Sequence, residues 1–455
     1  MKQPHRPEHC APPSPLRPMT PGPVSIYTLL VPAVAAVLKA AGPFSPGLRK
    51  FFAARRGVFP ELEEKSRNVA EGRPRLWVHA ASVGEFEQAR PLITLLKESV
   101  PGLAVFVSFL SDSGYEARKD YPDADAVFYL PLDTPANARK TAELVRPDLF
   151  MLMRYDFWPS HLLALKRRGA GMILAAAVLQ EGSSYFNPVL KAFYRPLFQL
   201  FDHIFTVAEK DARAFRDVFG CRAAERAGEP RIDQVIQRSR NSERVGHIAA
   251  FFKQRPVLVA GSVWEKDEEV LLGAWLELAS RPSLVLVPHK VGPENILRIG
   301  RELERLQIGW RRVRQLDASF DASREVLVID ETGYLVELYS VASMAYVGGG
   351  FGVNVHNTLE PAVYGIPVIF GPRHHNSPEA EGLLEAGGAY TIRNSEELGA
   401  VLRRLVDGSR EAEKAGKAAY GFIHSQAGAA SRIADAARKI LTQGRPRRPA
   451  SKNNS

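Results

Sequence analysis

Between Tyr346 and Glu360 the chain reads YVGGGFGVNVHNTLE: an apolar strand, a glycine-rich turn and a polar helix start. Glycines let a backbone approach a ligand closely. Unpaired N–H groups at a helix start favour an anion such as a phosphate. His356, Asn357 and Thr358 make that start, and Glu360, one turn in, is placed to accept hydrogen bonds from sugar hydroxyls. A purely structural turn with a satisfied carboxylate fits the same letters. The run is neither GxGxxG nor a P-loop, since no Gly-Lys-Ser/Thr follows. Taken alone, it points to a nucleotide or a nucleotide-sugar.

A second candidate is Trp77–Glu85, WVHAASVGE, in which Glu85 falls where a helix begins. Nearby N–H groups there favour the ionised carboxylate. A general base above a cleft and an ordinary first-turn carboxylate both fit, and spacing alone favours the second. Other polar groups also follow apolar runs: Asp156 in RYDFWP, Arg231 in GEPRID, Ser262 in AGS, and Thr332, Gly333 and Tyr334 in DETGY. His289 and Lys290, after Pro288, suit a phosphate, or plain solvated surface. Asp123 and Asp125 form a DxD triplet, a spacing that metal-dependent sugar transferases use to hold a cation on a diphosphate. It precedes a strand instead of following one, so it reads as a turn. No HExxH or other His-pair metal motif is present.

Positioning these residues requires strands that end beside them. Apolar runs predict strands at 76–79, 104–109, 126–130, 149–153, 172–176 and 203–207, and then at 256–260, 284–288, 326–330, 344–347 and 368–370. Helix-like or turn sequence separates them, which implies mostly parallel sheets covered on both faces. A chain of 455 residues is too long for one ordinary core. Two doubly wound α/β domains facing a cleft are therefore expected, at 57–232 and 255–440, joined by a polar linker at 233–254. Ligands in such sheets bind outside the carboxyl ends of the strands, where the candidates above lie.

Composition is ordinary for a globular protein, with 45% hydrophobic and 24% charged residues. Two distant cysteines, Cys10 and Cys221, exclude a disulfide framework and a Cys-based zinc site, and fit a reducing compartment. The net charge of +10 resides in residues 1–20, Lys39, 49–56 and 445–455, leaving the body nearly neutral. That distribution argues against nucleic acid and for anionic lipid. Residues 1–23 are proline-rich and expected to be disordered, as is the basic tail 441–455; Met19 is a candidate translation start. Residues 24–56 read as an apolar membrane helix with a basic flank. Its charge-free core, Val24–Leu38, is shorter than the ~20 residues that span a bilayer, and a hydrophobic helix packed on the body is the alternative.

The ordered set HAASVGEFEQARPLI, PLDTPANAR, DFWP, AGEPRID, AGSVWEKDEE, VPHK, VLVIDETGYLVELYSVA and YVGGGFGVNVHNTLEPAVYGIPVIFGP resembles the Kdo (3-deoxy-D-manno-octulosonic acid) transferases of lipopolysaccharide synthesis. The match runs from about Ile26 to Ile440, and its HNTLEPA form looks closest to a Bacteroidetes-like branch. The resemblance implies a GT-B glycosyltransferase that carries Kdo from CMP-Kdo to the lipid A precursor. It also implies an inner-membrane, cytoplasmic-face location, with no cofactor and no metal. By the same resemblance Glu85 is the catalytic base, while Asp156 and Arg231 assist the transition state. CMP-Kdo falls to Pro288, His289, Thr332, Gly333, Tyr334, Asn357, Thr358, Leu359 and Glu360, with Ser262 beside them. Departures are Asp156 for a common Glu, Arg231 for a common Lys, and His289-Lys290 for a common Arg-His. A UDP-sugar transferase or epimerase, and a non-catalytic membrane scaffold, are the rival readings.

Overall fold

The computed structural model describes residues 22–443, apart from 180–181, 241–242, 253–254, 376 and 408. The expected tails therefore lie almost wholly outside the described residues. Two parallel seven-stranded sheets organise the chain. The first contains β1 (Arg75–Ala80), β2 (Ala104–Phe109), β3 (Ala126–Tyr129), β4 (Leu149–Met153), β5 (Gly171–Ala177), β6 (His203–Thr206) and β7 (Ala224–Arg226), in the order β3-β2-β1-β4-β5-β6-β7. Strands β2, β4 and β5 are buried at every position, which is why they read as unbroken apolar runs instead of alternating ones.

The second sheet contains β8 (Val257–Val263), β9 (Ser283–Pro288), β10 (Gly309–Arg312), β11 (Glu325–Val328), β12 (Met344–Val347), β13 (Val368–Phe370) and β14 (Ala389–Thr391). Their order is β10-β11-β9-β8-β12-β13-β14. Every expected strand is found, and β7, β10 and β14 are additional. Strand order reverses between β1 and β4 in one sheet and between β8 and β12 in the other. A crevice opens at such a switch point, outside the carboxyl ends of the strands.

The two compact units do not follow the expected boundaries. The first takes described residues up to 226, apart from 90–92, and then 434–443; the second holds 90–92 and 227–433. The supposed linker contains a helix, Pro230–Ser239, inside the second unit. Its polar face made the stretch look like a linker, but Ile232 and Val235 are buried with Val347 and Leu359 in one cluster. The end of the last helix, Ala429–Thr442, belongs to the first unit. There Gly171 leaves room for Ile440, whose side chain occupies the space a Cβ would need.

At the N-terminus, Pro23–Ala41 is one helix, and a short turn extends the apolar span to Phe44, 22 residues in all. By length and composition it is sufficient to cross a membrane. Only 11% of an 18-residue apolar window within it is buried, less than a packed core helix shows. Ile26, Leu29, Val34 and Val37 are each more than half exposed. Its main polar tie to the body is the Tyr27 hydroxyl, which donates to Asp133 at 3.0 Å.

Candidate functional site

In the first unit, the end of β1 runs into the helix Val83–Ser99 through Ala81 and Ser82. Ser82 caps that helix, its Oγ accepting from the Glu85 N–H at 3.4 Å. Glu85 turns back and accepts the Ala81 N–H at 2.6 Å, a variant of the capping box. This serves a first-turn carboxylate structurally, yet the group is not an ordinary one. Burial pushes its carboxyl above the usual value and the charge of Asp156 adds to that, against the pull of the Ala81 N–H, His79 and Arg154.

Asp156 follows β4, the strand beside β1, so the first switch point brings the two carboxylates together. One oxygen, Oδ2, accepts both His79 Nε2–H and Trp158 Nε1–H at 2.9 Å. Burial pushes the Asp156 carboxyl up, but these bonds and the His79 interaction outweigh it and hold it below the usual value. His79 is 1% exposed. Its Nδ1 lies 2.8 Å from Ser108 Oγ, which also accepts the Trp77 indole N–H at 2.8 Å. Trp77 is itself fully buried, 5.1 Å from the Phe150 ring and 5.8 Å from Phe128. Arg154, just after β4, adopts φ 63°, a left-handed conformation unusual for a side-chain-bearing residue, and bonds Gln88.

The second unit places its strand ends differently. Ser262 has φ 55°, at a break in the β8–β9 register. Trp264, just beyond β8, stacks on His289 at 4.3 Å, and His289 stacks on His356 at 4.5 Å. The Trp264 indole donates to His356 Nε2 at 2.9 Å. Both imidazoles are held below the usual histidine value, by burial first and then by Lys290 for His289 and by His289 for His356. Beneath the rings Asp267, wholly buried, accepts N–H from Trp264 and Gly349 and the Tyr346 hydroxyl, each at 2.9 Å.

The glycine turn follows from its neighbours. A Cβ at Gly348 would run into the Ser262 carbonyl, and one at Gly350 would lie 2.7 Å from Gly371 backbone. The helix after it, Leu359–Ala362, is a single turn. Asn357 Oδ1 accepts the Leu359 N–H at 3.2 Å, and its Nδ2 donates to Glu360 at 3.0 Å. Leu359 and Thr358 are buried, Leu359 within a hydrophobic cluster. Pro288 is buried as the last residue of β9. Thr332, Gly333 and Tyr334 form a loop beyond β11, where Gly333 has φ 89° and Arg244 lies 4.9 Å over the Tyr334 ring. Arg231 also belongs to this unit, between Glu229 (3.2 Å) and Glu379.

Asp125 of the DxD triplet accepts the Val105 N–H at 2.9 Å and pairs with Arg73 at 3.1 Å, as a turn residue does. Among the described residues one trio has donor atoms close enough for a metal: His374, His375 and Glu381. Both Nδ1 atoms already lie 2.8 Å from Glu381 Oε1, within hydrogen-bond distance.

The family model described as 3-Deoxy-D-manno-octulosonic-acid transferase (kdotransferase) matches residues 51–234, the stretch that contains Glu85, Asp156 and Arg231. The chain is 30% identical over 346 residues to the 3-deoxy-D-manno-octulosonic acid transferase of Aquifex aeolicus (strain VF5), covering 74% of this chain and 87% of the relative. The chain belongs to the Kdo transferase family. Membership makes it a glycosyltransferase, and solved structures agree on the GT-B fold. A Rickettsia africae glycosyltransferase superimposes with TM-score 0.53 at 12% identity, covering 82% of this chain and 100% of that one. A Neisseria meningitidis UDP-GlcNAc 2-epimerase bound to UDP-GlcNAc gives TM-score 0.54 at 14% identity, covering 81% and 100%. At such identities the likeness concerns architecture alone.

Among the candidate site residues, His79 and Trp264 escape a reading by strand ends, whereas His356 stands in the polar helix start that the sequence marks. His79 is inside an apolar run and looks like core. Trp264 looks like a motif letter, although a large aromatic just past a buried strand is itself a signal.

Proposed function

We propose that this chain moves Kdo from CMP-Kdo to a hydroxyl of the lipid A precursor with inversion at the anomeric carbon. The observation that carries the reading is Glu85: a buried carboxylate at the switch point of the first sheet, with Asp156 beside it. A sugar hydroxyl is a weak nucleophile, and a base whose carboxyl sits above the usual range takes its proton more readily during attack. The reacting carbon passes through an oxocarbenium-like state, for which the ionised Asp156 supplies nearby negative charge. A single displacement then inverts the centre.

Donor binding falls to the strand ends of the second unit. Ser262, His289, the Thr332–Tyr334 loop and the Asn357–Glu360 turn surround the carboxyl ends of β8, β9, β11 and β12. Arg231 offers its charge to the donor once Glu379 gives way. CMP-Kdo carries one phosphate, so this chemistry calls for no divalent cation. The exposed helix Pro23–Ala41 and its surroundings support an acceptor presented by an anionic membrane at the cytoplasmic face. A cavity of about 810 Å³ beside it is lined by Lys39, Arg49, Arg55 and Arg56 together with Phe52 and Phe59. Cationic and apolar groups in one cavity suit a phosphorylated lipid.

The test is product analysis by mass spectrometry with purified protein, lipid A precursor, and either CMP-Kdo or a UDP-sugar, with and without EDTA. The reading expects a Kdo-bearing product from CMP-Kdo alone, unaffected by EDTA. Transfer from the UDP-sugar in its place would overturn it.

A further inference from the structure

The hydrogen-bond chain behind the two carboxylates has a direction. An indole N–H only donates, so Ser108 Oγ accepts from Trp77 and has one proton left to give. Beside it lies His79 Nδ1, 2.8 Å from Ser108 Oγ and 3.1 Å from the Ser108 carbonyl. An ionised carboxylate only accepts, so the proton facing Asp156 is carried by Nε2, both in a neutral ring whose Nδ1 accepts from Ser108 Oγ and in a charged ring whose Nδ1–H donates to the Ser108 carbonyl. In either state His79 presents an N–H to Asp156 Oδ2 across 2.9 Å. The ring cannot turn away, because it is wedged in β1 with 1% exposure. The register of the sheet pairs His79 with Leu152, so the histidine also spans the two strands that end at the carboxylates.

We propose that His79 is the positioning residue of the active site: it keeps Asp156 ionised and oriented beside Glu85. It touches neither substrate; it acts through Asp156. The inference rests on the reading of Glu85 and Asp156 given above. Desolvation is the largest influence on Asp156 and favours its neutral form, so the carboxylate depends on the donors that oppose it. Those donors are His79 and Trp158. The charged and titratable groups facing the pair from other elements are few. Glu85 comes from the helix Val83–Ser99 and Arg154 from the end of β4, and both interact electrostatically with the cluster. Tyr185, from the turn Ser184–Phe186, has its phenol pushed up to about 12, by burial first and in small part by Asp156. Tyr185 therefore stays neutral while the carboxylates titrate, leaving His79, with Trp158, to oppose the burial of Asp156.

The consequence is read in the pH dependence of kcat/KM for Kdo transfer. In His79→Leu, Asp156 loses a donor and protonates at higher pH. The acid limb of the profile should move up by about one unit, a ~10-fold loss on that limb that shrinks toward wild type as pH rises. His79→Gln, whose amide N–H lies near the position of Nε2, should restore most of the shift. Ser108→Ala, which removes the partner of Nδ1, should move the limb the same way by less, and it serves should His79→Leu fail to fold. CMP affinity and melting temperature are measured alongside. A loss equal at all pH values, or an unshifted limb in both His79→Leu and Ser108→Ala, overturns the role of His79. Glu85→Gln and Asp156→Asn run in the same assay separate the two levels. If both keep wild-type turnover, the site reading itself falls; if both lose it while the limb is unshifted, only the inference about His79 does.

Discussion

The two units share an architecture and spend their strand ends in opposite ways. At the first switch point the residues are titratable and close: Glu85, Asp156 and His79, with carboxyl groups displaced in opposite directions. At the second they are rings and backbone: Trp264, His289 and His356 stacked over a glycine turn, with the buried Asp267 serving only to tie it down. Pairs of carboxyls pushed apart mark acid–base chemistry, whereas flat rings beside close-packed backbone mark a rigid receptor. On the proposed reading, the same fold supports reaction in one half and recognition in the other, a difference carried by side chains placed at equivalent ends of equivalent strands.

The sharpest way to break that contrast is Glu85→Gln. Turnover should fall ~10²-fold or more, the scale of losing a general base, with CMP affinity within ~2-fold of wild type by calorimetry. Wild-type turnover would return Glu85 to the status of a capping carboxylate. The same variant has a stability signature. The folded-state carboxyl is raised, so wild type loses stability as pH rises through that value. Gln cannot ionise, and the melting temperature of the variant relative to wild type should therefore increase with pH across the carboxylate range.

Gly350→Ala probes the other half. A Cβ 2.7 Å from Gly371 backbone forces the β12 and β13 loops apart, at about 1–3 kcal/mol of stability. CMP binding should weaken with it; an unchanged melting temperature and affinity would show that the turn has slack. Trp264→Ala is milder. Removing a stacked partner of His289 should raise KM for CMP-Kdo by ~3–10-fold, the worth of one aromatic contact, and leave kcat within a factor of ~2. A fall confined to kcat would place chemistry in the second unit and dissolve the comparison.

The smallest kinetic effect is expected farthest from both sites. Leu29 and Val37 are 79% and 67% exposed. Changing both to Lys should leave the melting temperature and CMP affinity unaltered, while the protein washes from membranes at lower salt in fractionation. Retention equal to wild type would remove the helix Pro23–Ala41 from any anchoring role.

Strands buried on both faces were legible because they are almost wholly apolar, Ser108 of β2 being an exception; β2, β4, β12 and β13 match the expected spans residue for residue. The strands that were not legible are short or polar and lie at or beside sheet edges. GWRR of β10 puts two arginines in four residues, and two of the three residues of β7 are exposed. In such places the pairing comes from a neighbour's backbone and not from the strand's own apolar pattern. Glu85 and Asp156 were legible as polar groups just past apolar runs. Their shared partner His79 was not, since a histidine inside a strand carries no mark of the carboxylate two strands' ends bring to it. The glycine turn was read through ligand approach, but the pressure on Gly348 and Gly350 comes from Ser262 and Gly371, atoms supplied by segments far away in the chain.

The return of the last helix to the first unit bears on how the protein can be divided. The second unit is almost one continuous stretch, 227–433, and its two ends are stitched together by its own residues. Arg432 donates to the Ala227 carbonyl, and Asp233 accepts the N–H groups of Gly428 and Ala430 at 2.6 and 2.7 Å. Excised there, it would begin and finish at the same stitched corner, in the manner of a domain inserted into a host. The first unit is that host. A fragment stopped at Arg226 would expose the groove at Gly171 in which Ile440 belongs, so a stably folded first unit requires the terminal helix to be supplied as well, spliced on through a short loop or added as a separate peptide.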